Sequence, residues 1–118
     1  MPVVVTATEK FVLVLALTIK SGRYISRLLK AGGFQSGFRC SVRDAKELAE
    51  SQSQLAFVVC VWPFDNPAFN TESQILQWEE WRKRLQGSGI KTCYAMDPFA
   101  DSFCPVGFLE QITKLTCE

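Results

Sequence analysis

A chain of 118 residues is one ordinary domain, and 47% apolar with 21% charged residues is a globular composition, not a disordered tail or a fibrous repeat. Thirteen Lys and Arg against twelve Asp and Glu leave a net charge of +1, so no long-range pull towards nucleic acid or an anionic membrane is built in. Histidine is absent, which removes His triads, His metal ligands and the usual near-neutral proton shuttle.

Residues 3–6 are β-branched and read as a short leading strand or an extended arm. Residues 11–18 are apolar on both faces, the pattern of a central strand covered on both sides of a parallel sheet. The apolar run is too short to cross a bilayer, which takes about 20 residues. Glu9 in front of it and the lack of a small-residue cleavage pattern argue against a signal peptide. Lys20, Ser21 and Gly22 read as the next turn. A helix follows with Ile25, Leu28 and Leu29 on one face, and Gly32 and Gly33 stop it.

A short second strand is predicted over 38–41. Ser41 is placed to cap the next helix, with Asp44 in the capping-box position and Ala45, Leu48 and Ala49 as its narrow apolar face. Residues 55–62 form a third strand, apolar on both faces and ended by Pro63. After a loop at 65–70, Asn70 or Thr71 caps a helix over 72–86. Ile75, Trp78 and Leu85 face inward there, flanked by Leu76 and Trp81. Glu79 with Lys83 and Glu80 with Arg84 are favourable pairs on the outer face. Gly87 and Gly89 end the helix, and residues 90–96 are the fourth strand. A fifth strand, if present, is confined to 101–104. The last helix starts near Val106 and turns Phe108, Leu109, Ile112 and Leu115 inward.

Strand and helix alternate, so residues 1–118 are expected to form a single α/β domain with a mainly parallel four- or five-stranded sheet and helices on both faces. Cysteines at 40, 60, 93, 104 and 117 are odd in number and show no C-x-x-C spacing. They read as free, mostly buried thiols of a cytoplasmic protein, with Cys104 or Cys117 as the alternative of a reactive thiol. No metal and no cofactor is expected.

In order, spacing and length the pattern resembles a response-regulator receiver domain over residues 10–116. Four segments carry the likeness. They are the first strand with Arg23 to Gly32 (RYISRLLKAG), the helix at Arg43 to Ala49 (RDAKELA), the third strand with Pro63, and Cys104-Pro105 leading into the last helix. The resemblance implies a flavodoxin-like, three-layer α/β/α fold. It also implies a phosphoacceptor pocket whose positions fall on Leu15 and Ala16 (acidic pair), Cys60 (acceptor), Ala95 (Ser/Thr) and Cys104 (lysine). Leucine and alanine offer Mg²⁺ no hard oxygen ligand, and phosphoryl transfer needs that charge compensation. The implied protein is therefore a pseudo-receiver of the two-component kind: a non-catalytic, phosphorylation-independent regulatory module. It would act in signal transduction by contacting another protein, an adjacent domain of a longer regulator or a second copy of itself. It would bind neither nucleic acid nor membrane.

A competing reading comes from the loops after the strands, where open α/β sheets bind ligands. Lys20, Ser21 and Arg23 at a helix start, with Asp65 and Asp97, would make a small nucleotide- or phosphate-binding enzyme. The glycine pattern matches no phosphate-loop motif. Trp81, Phe64, Phe99 and Phe103 are candidate surface aromatics for a partner. For Phe64, Phe69, Phe99 and Phe103 the alternative is that they fill the space left by the missing acids, and this is expected of two of the four. Arg82, Lys83, Arg84 and Lys91 form a basic cluster, read beside Glu79 and Glu80 as a solvated, salt-bridged face.

Overall fold

A computed structural model describes residues 10–52 and 54–116. The leading strand expected at 3–6 and Cys117 lie outside the described residues. The elements run β1 (Phe11–Leu15), α1 (Ile19–Ala31), β2 (Gln35–Arg39), α2 (Val42–Glu50), β3 (Leu55–Val61), α3 (Glu72–Gly87), β4 (Lys91–Ala95) and α4 (Pro105–Thr116). The four strands are all parallel, in the order β2-β1-β3-β4. This is a compact α/β fold of the flavodoxin-like kind.

Strand alternation divides the core into two layers. Val12, Val14, Val59, Val61, Cys93 and Ala95 pack against Ile25 and Leu29 of α1 and Phe108 and Ile112 of α4. Leu13, Leu15, Val58 and Cys60 face the other way, against Val42 and Ala45 of α2 and Trp78, Trp81 and Leu85 of α3. Both faces of β1 and β3 are thus dry, which explains why those two segments carry no alternation.

Local signals set the helix ends. Thr18 Oγ1 accepts from the Ser21 amide, Ser41 Oγ from the Asp44 amide, and Thr71 Oγ1 from the Gln74 amide. Of the two caps proposed for α3, Thr71 is the one used. Asn70 instead braces the preceding loop, its Nδ2 donating to the Phe64 carbonyl at 2.8 Å. Gln74 Oε1 accepts from the Val42 amide at 3.0 Å, so a side chain of α3 satisfies an orphan donor at the start of α2.

Three expectations are corrected, and the choice between four and five strands is decided. First, α1 begins at Ile19, so Gly22 lies inside the helix and not in a turn. The glycine permits close packing: a Cβ there would meet Phe38 Cδ2 at 2.5 Å. Second, β2 begins at Gln35, because Phe11 to Leu15 supply a full row of pairing partners for Gln35 to Arg39. The buried Ser36 hydroxyl donates to the Val12 carbonyl and accepts from Ser26, which makes a polar residue tolerable there. Third, Glu79 pairs with Arg82 at 2.6 Å, one helical turn away at i,i+3, and not with Lys83. Residues 101–104 form no strand: Asp97 to Phe103 is a run of turns, closed by bonds from the Ala100 amide to Asp97 O and from the Phe103 amide to Ala100 O. No ion pair joins Glu80 to Arg84 among the described residues. No helix among the described residues is long and apolar enough to cross a membrane.

Candidate functional site

In a sheet of this order the direction in which strands are added reverses between β1 and β3, and ligands of such folds bind beyond the carboxyl ends of those strands. Leu15 and Cys60 are register partners at that point, and Val61 pairs with Ala95 one strand further on. The sheet therefore brings together the positions that the receiver resemblance assigns to the acidic pair, the acceptor and the Ser/Thr. Leu15, Ala16 and Cys60 are fully buried, and Ala95 nearly so. Cys104 stands apart in the turn before α4, exposed, with its Sγ accepting from the Gly107 amide.

Two expected surface aromatics are not on the surface. Phe64 is 0% exposed and lies in the cluster that holds Leu15, Cys60 and Trp78. Its carbonyl is held by the Asn70 side-chain amide. Trp81 is 6% exposed, because its place one turn after Trp78 sets it on the same core-facing stripe. Phe103 is half-buried against α4, with its ring 6.1 Å from Phe108. Phe69 and Phe99 are exposed. Two of the four loop phenylalanines therefore turn inward and two outward.

The residues of the nucleotide-binding alternative do not converge. Lys20 and Arg23 line one cavity of about 680 Å³ with Ile19, Tyr24, Arg27 and Phe99. The Lys20 ammonium sits 4.7 Å from the Phe99 ring centre, a cation–π distance. Asp65 and Asp97 line a different cavity of about 550 Å³ with Trp62, Tyr94, Met96 and Ala100. The two cavities share no lining residue. The Ser21 amide, the helix-start donor that would meet a phosphate, is held by the Thr18 cap. No group of three or more His, Cys, Asp or Glu among the described residues is arranged to hold a metal ion.

The thiols follow their surroundings. Burial pushes Cys60 well above the ordinary thiol range, and the nearby negative charges of Asp65 and Glu79 push it the same way. Burial alone pushes Cys93 up to about 12. Both thiols are thus neutral and unreactive at neutral pH. Alkylation of the native protein followed by peptide mapping is expected to label Cys104 and to spare Cys60 and Cys93 until unfolding.

The same shifts give a pH dependence. A thiol whose folded pKa exceeds its unfolded value contributes stability that is fully present below the unfolded value, near 9, and is lost as pH rises towards the folded one. Between those limits each thiol removes about 1.4 kcal/mol per pH unit. Cys93→Ala should therefore show a flatter decline in unfolding free energy than the parent between pH 9 and 11, by chemical denaturation. Parallel curves would place Cys93 in contact with water.

No family model matches the chain, and no curated protein matches it.

Proposed function

We propose that this chain is a non-catalytic regulatory module that acts by protein–protein contact, a pseudo-receiver whose phosphoacceptor ground is filled with apolar side chains. One observation carries the reading. At the sheet's reversal point, where such folds hold their ligands, Leu15, Ala16, Cys60 and Phe64 are buried and uncharged. A receiver switches when phosphate and Mg²⁺ neutralise clustered carboxylates there. Nothing at Leu15, Ala16 and Cys60 needs neutralising, so the domain holds one state or is shifted by a partner. Cysteines odd in number and without C-x-x-C spacing support a reducing compartment, the cytoplasm, as its setting.

The test is an amide NMR titration with Mg²⁺ and beryllofluoride, a phosphate mimic. The expected result is no saturable shift at residues 15–22 or 60–65. Saturable shifts there would show a working acidic pocket and end the reading.

The cavity of Lys20, Arg23 and Arg27, with Tyr24 and Phe99 beside them, favours a second reading: a site for an anion bearing a flat or apolar group. A thermal-shift series with nucleotides separates the two. A ligand present at a hundred times its dissociation constant stabilises by about 2.7 kcal/mol. A reproducible shift that Arg23→Gln removes would favour this second reading over the first.

A further inference from the structure

β4 is an edge of the sheet, and among the described residues no strand covers it. The Trp62 amide donates to the Ala95 carbonyl at 2.8 Å, so Ala95 faces β3. Strand alternation then turns the backbone groups of Thr92 and Tyr94 to the open side. An open edge of this kind is a template for another strand. Proteins often blunt such an edge with charge, but β4 carries only Lys91, at its start, and its ammonium donates to the Leu115 carbonyl at 3.0 Å.

The cavity at the carboxyl end of this edge has a definite chemistry. Its walls are the exposed side chains of Trp62 (42%), Tyr94 (45%) and Met96 (47%), with the Asp65 and Asp97 carboxylates among them. Packing fixes the aromatic walls. The Trp62 ring meets Phe69 edge-on at 5.5 Å, and Tyr94 meets the buried Trp78 at 6.3 Å while its hydroxyl accepts from the indole Nε1. Asp97 Oδ1 accepts from the Phe99 amide, which holds that carboxylate in place. Neither carboxylate has a cationic partner among the described residues. Aromatic faces with unpaired carboxylates suit an Arg or Lys side chain, whose stem lies on the apolar wall while its charge meets the acids.

We propose that the β4 edge and the Trp62–Tyr94–Asp65–Asp97 cavity together bind an extended peptide segment of a partner protein, which adds a strand to the sheet and seats one arginine or lysine in the cavity. The proposal rests on the interaction-module reading above and names its surface. Backbone pairing supplies affinity and the cavity supplies selectivity, the usual division in strand addition. A second copy of this chain fits less well, because the cation of its own β4, Lys91, is already engaged.

The probe is a short fluorescent Thr/Val-rich peptide with one central arginine, titrated into the full chain by anisotropy and by amide NMR. The expected result is saturable binding with shifts centred on Thr92, Tyr94 and Met96. Replacing the arginine by glutamate, or combining Asp65→Asn with Asp97→Asn in the protein, should each weaken binding by about tenfold or more, as loss of a charge-assisted contact does. N-methylation of the peptide amides on its pairing side should abolish binding with the charge unchanged. Equal binding of the arginine and glutamate peptides, shifts remote from β4, or no binding would overturn the proposal. So would a concentration-dependent dimer with its β4 amides protected from exchange in the absence of peptide, since a second copy would then hold the edge. Failure of the peptide with the beryllofluoride and nucleotide experiments still silent removes this surface and leaves the module reading standing. Shifts in those experiments overturn the reading and the surface with it.

Discussion

Trp78→Ala is expected to lower the unfolding free energy by about 3–5 kcal/mol, the range for removing a large aromatic from a packed core. Trp78 is fully buried in the layer that also holds Leu15, Cys60, Phe64 and Leu85. Its ring meets Trp81 edge-on at 6.0 Å and Tyr94 at 6.3 Å. Truncation removes the burial, both ring contacts and the bond from Nε1–H to the Tyr94 hydroxyl. The cavity is the larger part of the cost, because Tyr94 is half open to solvent and water can replace the lost donor. Small domains have about 5–15 kcal/mol in all, so this one change removes a large share. Leu76→Ala is the control on the same helix. Leu76 is largely exposed, and its loss should fall within about 0.5 kcal/mol of the parent. Urea denaturation of both variants checks the pair. A cost for Trp78 as small as that for Leu76 would mean that α3 is not anchored through this ring.

How much of this was legible in the sequence depends on where the decisive partner lies. The runs at 11–15 and 55–61 declare themselves, because a strand buried on both faces has no polar residue to interrupt it. Ser41 and Asp44 announce α2 because a cap is a local bond within one turn. β2 is not local in this sense. Gln35, Ser36 and Gly37 have weak strand preference and become a strand through their pairing with Phe11 to Leu13. Gly22 reads as a turn until Phe38 is known to lie against it.

The candidate site divides along the same line. Leu15 and Cys60 were singled out through the receiver resemblance alone, and their register is set by the pairing of β1 with β3. Separation of Lys20 and Arg23 from Asp65 and Asp97 depends on which side of the sheet each loop leaves, and spacing along the chain does not encode that. Trp81 carried a readable signal, since Trp78, Trp81 and Leu85 fall on one i, i+3, i+7 stripe. The β4 edge carried one too: Thr92 and Tyr94 alternate with Cys93 and Ala95, the mark of a strand with one face less dry than the other. Met96 and Trp62 as walls of a single cavity had no sequence signal, because they meet only through the pairing of β3 with β4.

The substitution that would rebuild an acceptor carboxylate tests the nature of the pocket most directly. Cys60→Asp is expected to cost about 3 kcal/mol or more at pH 7.5, because it places an acid with no cationic partner in an apolar interior. Cys60 is fully buried beside Leu15, and Asp65 and Glu79 already act on it with negative charge. A carboxylate there meets the same desolvation and the same two charges, so its folded pKa rises above the unfolded value of about 3.9. The penalty is then smallest below the unfolded value and grows with pH up to the folded one, by about 1.4 kcal/mol per pH unit. The variant should therefore lose less against the parent at pH 4.5 than at pH 7.5, read as the gap between their denaturant midpoints. Adding Mg²⁺ should restore nothing, because leucine and alanine at the neighbouring positions offer the ion no oxygen. A difference that stays flat across this pH range, or a gain in stability with Mg²⁺, would mean that water and cations reach the end of β3. The apolar pocket on which the regulatory reading stands would then be wrong.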